Sequence, residues 1–246
     1  MLYQHQITQI GSFHKNHCED YTFSGALSEN RQVLAVFDGC TMGDESYFAA
    51  ILFGRILRKL ARNMFFLGKI TAAKMSIEIQ LKELMRQLFV SIQEIKNDLY
   101  LEERELLTTV TIGIVDTKKQ NGAFLCVGDG LIVINGRFYE FDQGNQPDYL
   151  GYHLTEKFED WYSSIQQRLI GNEIKDLSLS SDGVFTFVDQ QDMSTSDYQK
   201  VLEYLLLDQS DLANPHFFQK KLRTITQIWG LTHTDDLGIV RCVLQE

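Results

Sequence analysis

The sequence predicts an α+β domain in which helices pack over antiparallel sheet, and three observations carry that prediction. Apolar runs of strand length recur, rich in β-branched and aromatic residues and bounded by Gly, Asp or Asn. Two long helical patterns sit together between the first and second of these runs. Strands and helices are therefore segregated along the chain rather than alternating, which favours layers over an antiparallel sheet.

In chain order, residues 32–37 (QVLAVF) form the first such run. From Ser46 onward, Phe48, Leu52, Ile56 and Leu60 recur every four residues, with Arg55, Arg58, Lys59 and Arg62 on the other side. From Ala72 to Tyr100, the residues Ile77, Leu81, Leu84, Leu88, Ile92, Ile95 and Leu99 follow a spacing of three and four. Met85 and Phe89 widen that stripe into a core-facing surface. Strands follow at residues 109–115 (TVTIGIV), 123–127 (AFLCV) and 131–134 (LIVI). Residues 136–160, with Pro147 and several aromatic and acidic side chains, read as an excursion from the core. A strand at 177–181 (LSLSS) and a helix over about 197–207, beginning at Asp197, come next. Asn214 and Pro215, an N-cap residue followed by proline at the first helical position, predict the start of the last helix. The chain ends in a strand at 237–244 (LGIVRCVL). No Gly/Ser linker interrupts the pattern, so residues 1–246 are expected to form one domain.

Composition narrows the function classes. The 16 Phe and 10 Tyr against only 2 Pro exclude disorder as the main theme. With 33 acidic and 23 basic residues the net charge is −10, which excludes a sequence-general nucleic-acid binder, since such proteins need a basic footprint. Acidity of this size suits a holder of divalent cations, but on its own it more often just means solubility. The N-terminus, MLYQHQITQIGSF, lacks a basic segment followed by an apolar one, so it does not read as a secretory signal. No apolar run approaches the roughly 20 residues that span a bilayer. The four cysteines, Cys18, Cys40, Cys126 and Cys242, are dispersed without CxxC spacing. Free thiols, a cytoplasmic location and no membrane partner are expected.

One feature recurs. Three apolar strands end in Asp-Gly: Asp38–Gly39, Asp129–Gly130 and Asp182–Gly183. Asp235 and Asp236 precede the last strand, and Glu19 and Asp20 precede the run YTFSG. Read one at a time, each Asp-Gly is a type I′ hairpin signal, Asp129–Gly130 most purely because strand-like runs flank it. Read together, carboxylates at strand ends can converge on one rim and there offer hard oxygen ligands to Mg²⁺ or Mn²⁺, with glycine letting a backbone carbonyl approach, although the order of residues does not prove that they meet. Nearby, His14, His17 and Cys18 lack a fourth ligand for zinc. His233 reads as a loop histidine or as a residue behind the acidic site, and Trp161 and Trp229 as packing residues.

Six ordered blocks carry a family resemblance: KNHCEDY (15–21), VLAVFDG (33–39), TTVTIGIV (108–115), FLCVGDG (124–130), LSLSSDGVF (177–185) and DDLGIVRCVL (235–244). Together they resemble the metal-dependent protein serine/threonine phosphatases of the PP2C type, from about residue 10 to the C-terminus. The resemblance implies a four-layer α-β-β-α sandwich, two mostly antiparallel sheets flanked by helices, with a dinuclear metal centre at one end. It places Asp38 as bridging aspartate, the Gly39 carbonyl as a backbone ligand, and Asp182 and Asp235 as ligands of the other metal. Glu19, beside Asp20, would hold metal-bound water, and Asp129 would help bind a third, looser ion. Lys15 falls where the family usually grips the substrate phosphate with arginine. The implied activity is hydrolysis of phosphoserine and phosphothreonine in proteins by a hydroxide bridging two Mg²⁺ or Mn²⁺ ions, in a bacterial-type signalling enzyme expected to be monomeric.

Departures from the family pattern sharpen the expectation. Cys40, Thr41, Met42 and Gly43 replace a histidine or methionine followed by glycines, so a leaving-group acid is absent or passes to Cys40 or water. Lys15 keeps charge but loses the bidentate fork of arginine. Asp236 stands where asparagine is common. The alternative function is a catalytically weak relative that binds a phosphoprotein or regulator without turning it over.

Overall fold

The computed structural model describes residues 1–43, 45–67, 75–144, 147–194 and 198–245. Strands buried on both faces dictate its architecture. In β3 (Arg31–Phe37) every residue is buried, and the same holds for β4 (Val110–Asp116). Side chains alternate across a strand, so Val33, Ala35 and Phe37 face a helical layer while Leu34 and Val36 face a second sheet. A strand sandwiched in this way reads as a continuous apolar run rather than as an alternation.

The first sheet runs β2 (Tyr21–Ala26), β3, β4, β5 (Asn121–Val127), β8 (Arg168–Gly171). The second runs β1 (Leu2–Gln9), β12 (Leu237–Leu244), β9 (Asp176–Ser180), β6 (Gly130–Ile134), β7 (Arg137–Phe141). All pairings are antiparallel. A short ribbon of β10 (Phe187–Asp189) and β11 (Leu231–His233) stands apart. Phe124, Ile132, Leu179 and Val240 fill the space between the sheets. Helices α1 (Phe48–Leu67) and α2 (Ile77–Leu99) cover the first sheet through Phe53, Leu57, Leu84 and Leu88. Helices α4 (Tyr198–Leu206) and α5 (Phe217–Gln227) cover the second through Val201, Leu205, Phe218 and Ile225. The result is the α-β-β-α order expected of the resemblance.

Helix ends refine the reading. Ser76 caps α2, its hydroxyl accepting the amide of Ile79 at 3.2 Å, and Tyr100 closes it in the left-handed conformation at φ 55°. The starts expected at Ala72 and Asp197 lie outside the described residues. The Asn214–Pro215 signal proves to be a separate turn: Asn214 accepts amides from His216 (2.9 Å) and Phe217 (3.1 Å), and α5 begins only at Phe217.

Residues 136–160 are not an excursion. Asn135 and Gly136, with φ of 50° and 81°, form a left-handed two-residue turn that pairs β7 with β6. Beyond it, Leu150 and Leu154 enter the helical core, and Phe158 and Trp161 of α3 (Phe158–Ser164) pack on Phe89. Trp161 is fully buried, so this segment is anchored by the largest side chain in the core.

Candidate active site

Strand register decides where the acidic residues fall. Tyr21 pairs with Phe37 and Val110 with Val127, so Asp20, Asp38 and Asp129 leave the first sheet at one end. Leu131 and Ile239 both pair with Ser180, so Asp182 and the residues before β12 leave the second sheet at one end too. The two ends are tied to each other: Ser181 Oγ donates to Asp20 Oδ2 at 2.6 Å and accepts the Gly238 amide at 2.9 Å.

Here a cavity of about 360 Å³ opens, and Glu19, Asp38, Gly39, Asp129, Asp182 and Asp235 all line it. Asp20 does not reach the cavity and lies behind, 4% exposed. Lys15 is exposed and stands outside the lining, which instead includes its neighbour His14. His14 Nδ1 lies 2.9 Å from Asp236 Oδ2 in poor hydrogen-bond alignment, an ionic contact. Asp236 itself is buried, accepting amides from Gly11 (2.7 Å) and Glu19. Its two oxygens therefore pin the loop that carries His14 and Glu19 to the start of β12.

None of the three Asp-Gly pairs is a type I′ turn, because neither residue of any pair has positive φ. Asp129–Gly130 joins β5 to β6 across the two sheets rather than within a hairpin. Glycine is required for a different reason. A Cβ on Gly39 would lie 2.1 Å from the Ser46 carbonyl oxygen, and one on Gly183 would lie 1.8 Å from that of Asp236. Backbone packs against backbone at both places, and it is this packing that draws the aspartates together. Gly183→Ala is accordingly expected to cost about 1–3 kcal/mol of stability by overpacking and to displace Asp182 from Asp236. Urea unfolding checks the first effect.

Electrostatics single out the buried part. The Asp38 carboxyl is in hydrogen-bonding contact with those of Asp20 and Asp182. Burial first, then the neighbouring carboxylates, push Asp38 well above the usual range and Asp20 up to about 8. Asp182 is raised by burial and Asp235, and Glu19 and Asp129 are raised mainly by burial. Burial pulls His14 down, but Asp236, Glu19 and Asp235 outweigh it and hold the imidazole above its ordinary value. Two carboxylates in contact need a shared proton or a cation between them. Asp20 Oδ1 is buried and meets no donor. A hard divalent cation suits that donor set, all oxygen and surplus in charge. Among the described residues, however, no three His, Cys, Asp or Glu side chains are already arranged around one point, the carboxylates meeting in pairs instead.

A sequence model of the family described as Protein phosphatase 2C matches residues 13–225. The chain belongs to the Protein phosphatase 2C family. The 2C fold is matched throughout. A crystal structure of a bacterial serine phosphatase superposes with TM-score 0.64 at 13% identity, over 100% of this chain and 98% of that one. Staphylococcus aureus Stp1, a serine/threonine phosphatase, gives 0.60 at 13%, over 100% and 96%. RsbX in complex with magnesium gives 0.57 at 14%, over 99% and 96%. At such identities the likeness establishes fold alone. No curated protein sequence matches the chain. No helix among the described residues is long and apolar enough to cross a membrane.

The raised carboxyls of this 2C-family site fix a pH dependence. A group whose folded pKa is raised contributes stability below its unfolded value, and that contribution is lost as pH rises through the folded value. For Asp20 the loss begins above the ordinary carboxyl value and is complete as pH rises through about 8, and Asp38 and Asp182 act in the same direction. Metal-free protein is expected to melt at progressively lower temperature from about pH 5 to about pH 8, and millimolar Mn²⁺ to flatten the trend. A melting temperature that rises over this window without metal would contradict the assignment.

Proposed function

We propose that the chain, as one PP2C-like domain, hydrolyses phosphate monoesters of serine and threonine in proteins. The observation that carries this reading is a group of contacting carboxyls in a 2C-family fold, half-buried Asp38 and Asp182 lining a cavity with buried Asp20 behind them. Asp38, the Gly39 carbonyl, Asp182 and Asp235 would hold two Mg²⁺ or Mn²⁺ ions, Glu19 their water, and Asp129 a third ion. Bound there, divalent cations supply a water of lowered pKa and offset charge on the phosphoryl oxygens.

The chain's own residues account for the rest. Ser181 and the Asp20 carboxyl fix the orientation of Asp38 from behind. Thr108 Oγ1 and the Thr109 amide each donate to the Asp38 carbonyl at 2.8 Å, holding the end of β3 in place. Ser46 Oγ donates to Glu19 Oε1 at 2.5 Å and orients it toward the cavity. His14, on the wall between Asp235 and Asp236, supplies the positive charge that faces a bound phosphate, with Lys15 as the outer cation.

The test is phosphate release from phosphoserine and phosphothreonine peptides with millimolar Mn²⁺ and with chelator. Release that chelator abolishes is expected; no release, or release indifferent to chelator, overturns the reading. Exposure of Lys15 outside the cavity favours the alternative, a catalytically weak phosphoprotein-binding module, which would bind the phosphopeptide without turning it over.

A further inference from the structure

Tyr149 belongs to the segment between β7 and α3, which is docked firmly on the site. Gly151 lies so close to the Leu106 carbonyl that a Cβ would stand 2.4 Å from its oxygen. The Tyr149 carbonyl accepts the Tyr152 amide at 3.1 Å, and the two rings meet edge to face at 5.4 Å. His153 lies between Asp148 (2.7 Å) and Glu156 (2.6 Å). Held in this way, Tyr149 is 6% exposed and packed with Cys40 and Leu107. It lines the same cavity as Asp38 and Asp182.

A serine or threonine alkoxide leaves phosphorus poorly unless it receives a proton. Side chains able to give one are His, Asp, Glu, Lys, Tyr and Cys. On the phosphatase reading the carboxyls would hold cations and carry no proton, and His14, held between Asp235 and Asp236, is the cation facing the phosphate. That leaves the phenol and the thiol it touches, and a thiol is the weaker hydrogen-bond donor.

We infer that Tyr149 is a further catalytic residue, the proton donor to the leaving serine or threonine oxygen, an inference that rests on the phosphatase reading. Water oxygen bonds to phosphorus while the bond from phosphorus to the side-chain oxygen breaks, its electron pair going to that oxygen. The Tyr149 proton passes to the same oxygen, giving the free hydroxyl and inorganic phosphate. The proton lost by the attacking water returns to the phenolate through solvent.

The test compares a phosphoserine peptide with p-nitrophenyl phosphate, whose nitrophenolate leaves unaided. In Tyr149→Phe the ratio of kcat on the peptide to kcat on the nitrophenyl ester is expected to fall on the order of 100-fold. A packing or phosphate-binding role would lower both rates together and leave the ratio alone, overturning the assignment. If the ratio falls in Cys40→Ala and holds in Tyr149→Phe, the thiol is the donor and the assignment is again wrong. A second measurement needs no variant: across a series of aryl phosphates, wild type should depend weakly on leaving-group acidity, and a steep dependence contradicts the inference. Wild type inactive on every ester would instead sink the phosphatase reading itself.

Discussion

Asp38→Asn is expected to lower Mn²⁺-dependent phosphate release on the order of 1000-fold, about 4 kcal/mol in the barrier, while raising the melting temperature of metal-free protein. The two effects have one cause. Asp38 contacts Asp20 and Asp182 where the sheets meet the cavity, so its carboxyl serves a cation well and serves the metal-free fold badly. An amide keeps the shape, needs no shared proton and brings an N–H donor beside Asp20, whose Oδ1 lacks one. Function is lost and strain is relieved together, the trade expected where a site is built for a ligand rather than for stability. Phosphate release and thermal unfolding on the same sample check both signs. A variant that loses stability without metal would show that the carboxyls are not in repulsive contact.

Arg241→Ala should be the most damaging change remote from the cavity, at about 3–5 kcal/mol. Arg241 in β12 is fully buried, and its guanidinium grips Asp176 of β9 through Nε (3.0 Å) and Nη2 (2.7 Å). Its remaining donors reach the carbonyls of Leu205, Leu207 and Asp208, at the end of α4. One side chain thus joins the second sheet to its helical layer. Truncation leaves a nearly buried Asp176 and those carbonyls without their donor, and a loss of that size is a large part of a domain's total stability. Replacing both partners at once, Arg241→Met with Asp176→Leu, should recover most of the loss, since the penalty lies in the uncompensated charge. Urea unfolding of the single and double variants measures this; a single variant within about 1 kcal/mol of wild type contradicts it.

The contrast between what sequence reading reached and what it did not follows burial. The strands β3, β4, β5, β6, β9 and β12 are covered on both faces and show as apolar runs. The edge strand β1, LYQHQITQ, buries only Ile7 and carries no such signal; its register comes from β12. Edge strands β7 and β8 are invisible for the same reason. At the site, the Asp-Gly pairs marked strand ends, but dipeptide preferences favoured turns, whereas the glycines are there for backbone contact between segments far apart in sequence, as between Gly183 and Asp236. The difference between His14 and Lys15 was equally hidden. Amides of Ser12 and Phe13 donate to His233 and Thr234 at 3.0 Å, which sets the loop's path; the order of residues alone does not say which of two adjacent cations lines the cavity. Tyr149 carried no local signal, because it meets Cys40 only through the packing of a distant segment.

The central claim, that the acidic cluster is a divalent-cation site, is tested most directly by calorimetric titration of Mn²⁺ into metal-free protein at pH 7. Running it in two buffers of different ionisation heat counts the protons exchanged. With Asp20 titrating near pH 8 and Asp38 raised beside it, binding should expel about one proton or more per molecule, and Asp38→Asn should weaken binding strongly. Absence of binding, or binding that releases no proton and ignores Asp38→Asn, would contradict the account.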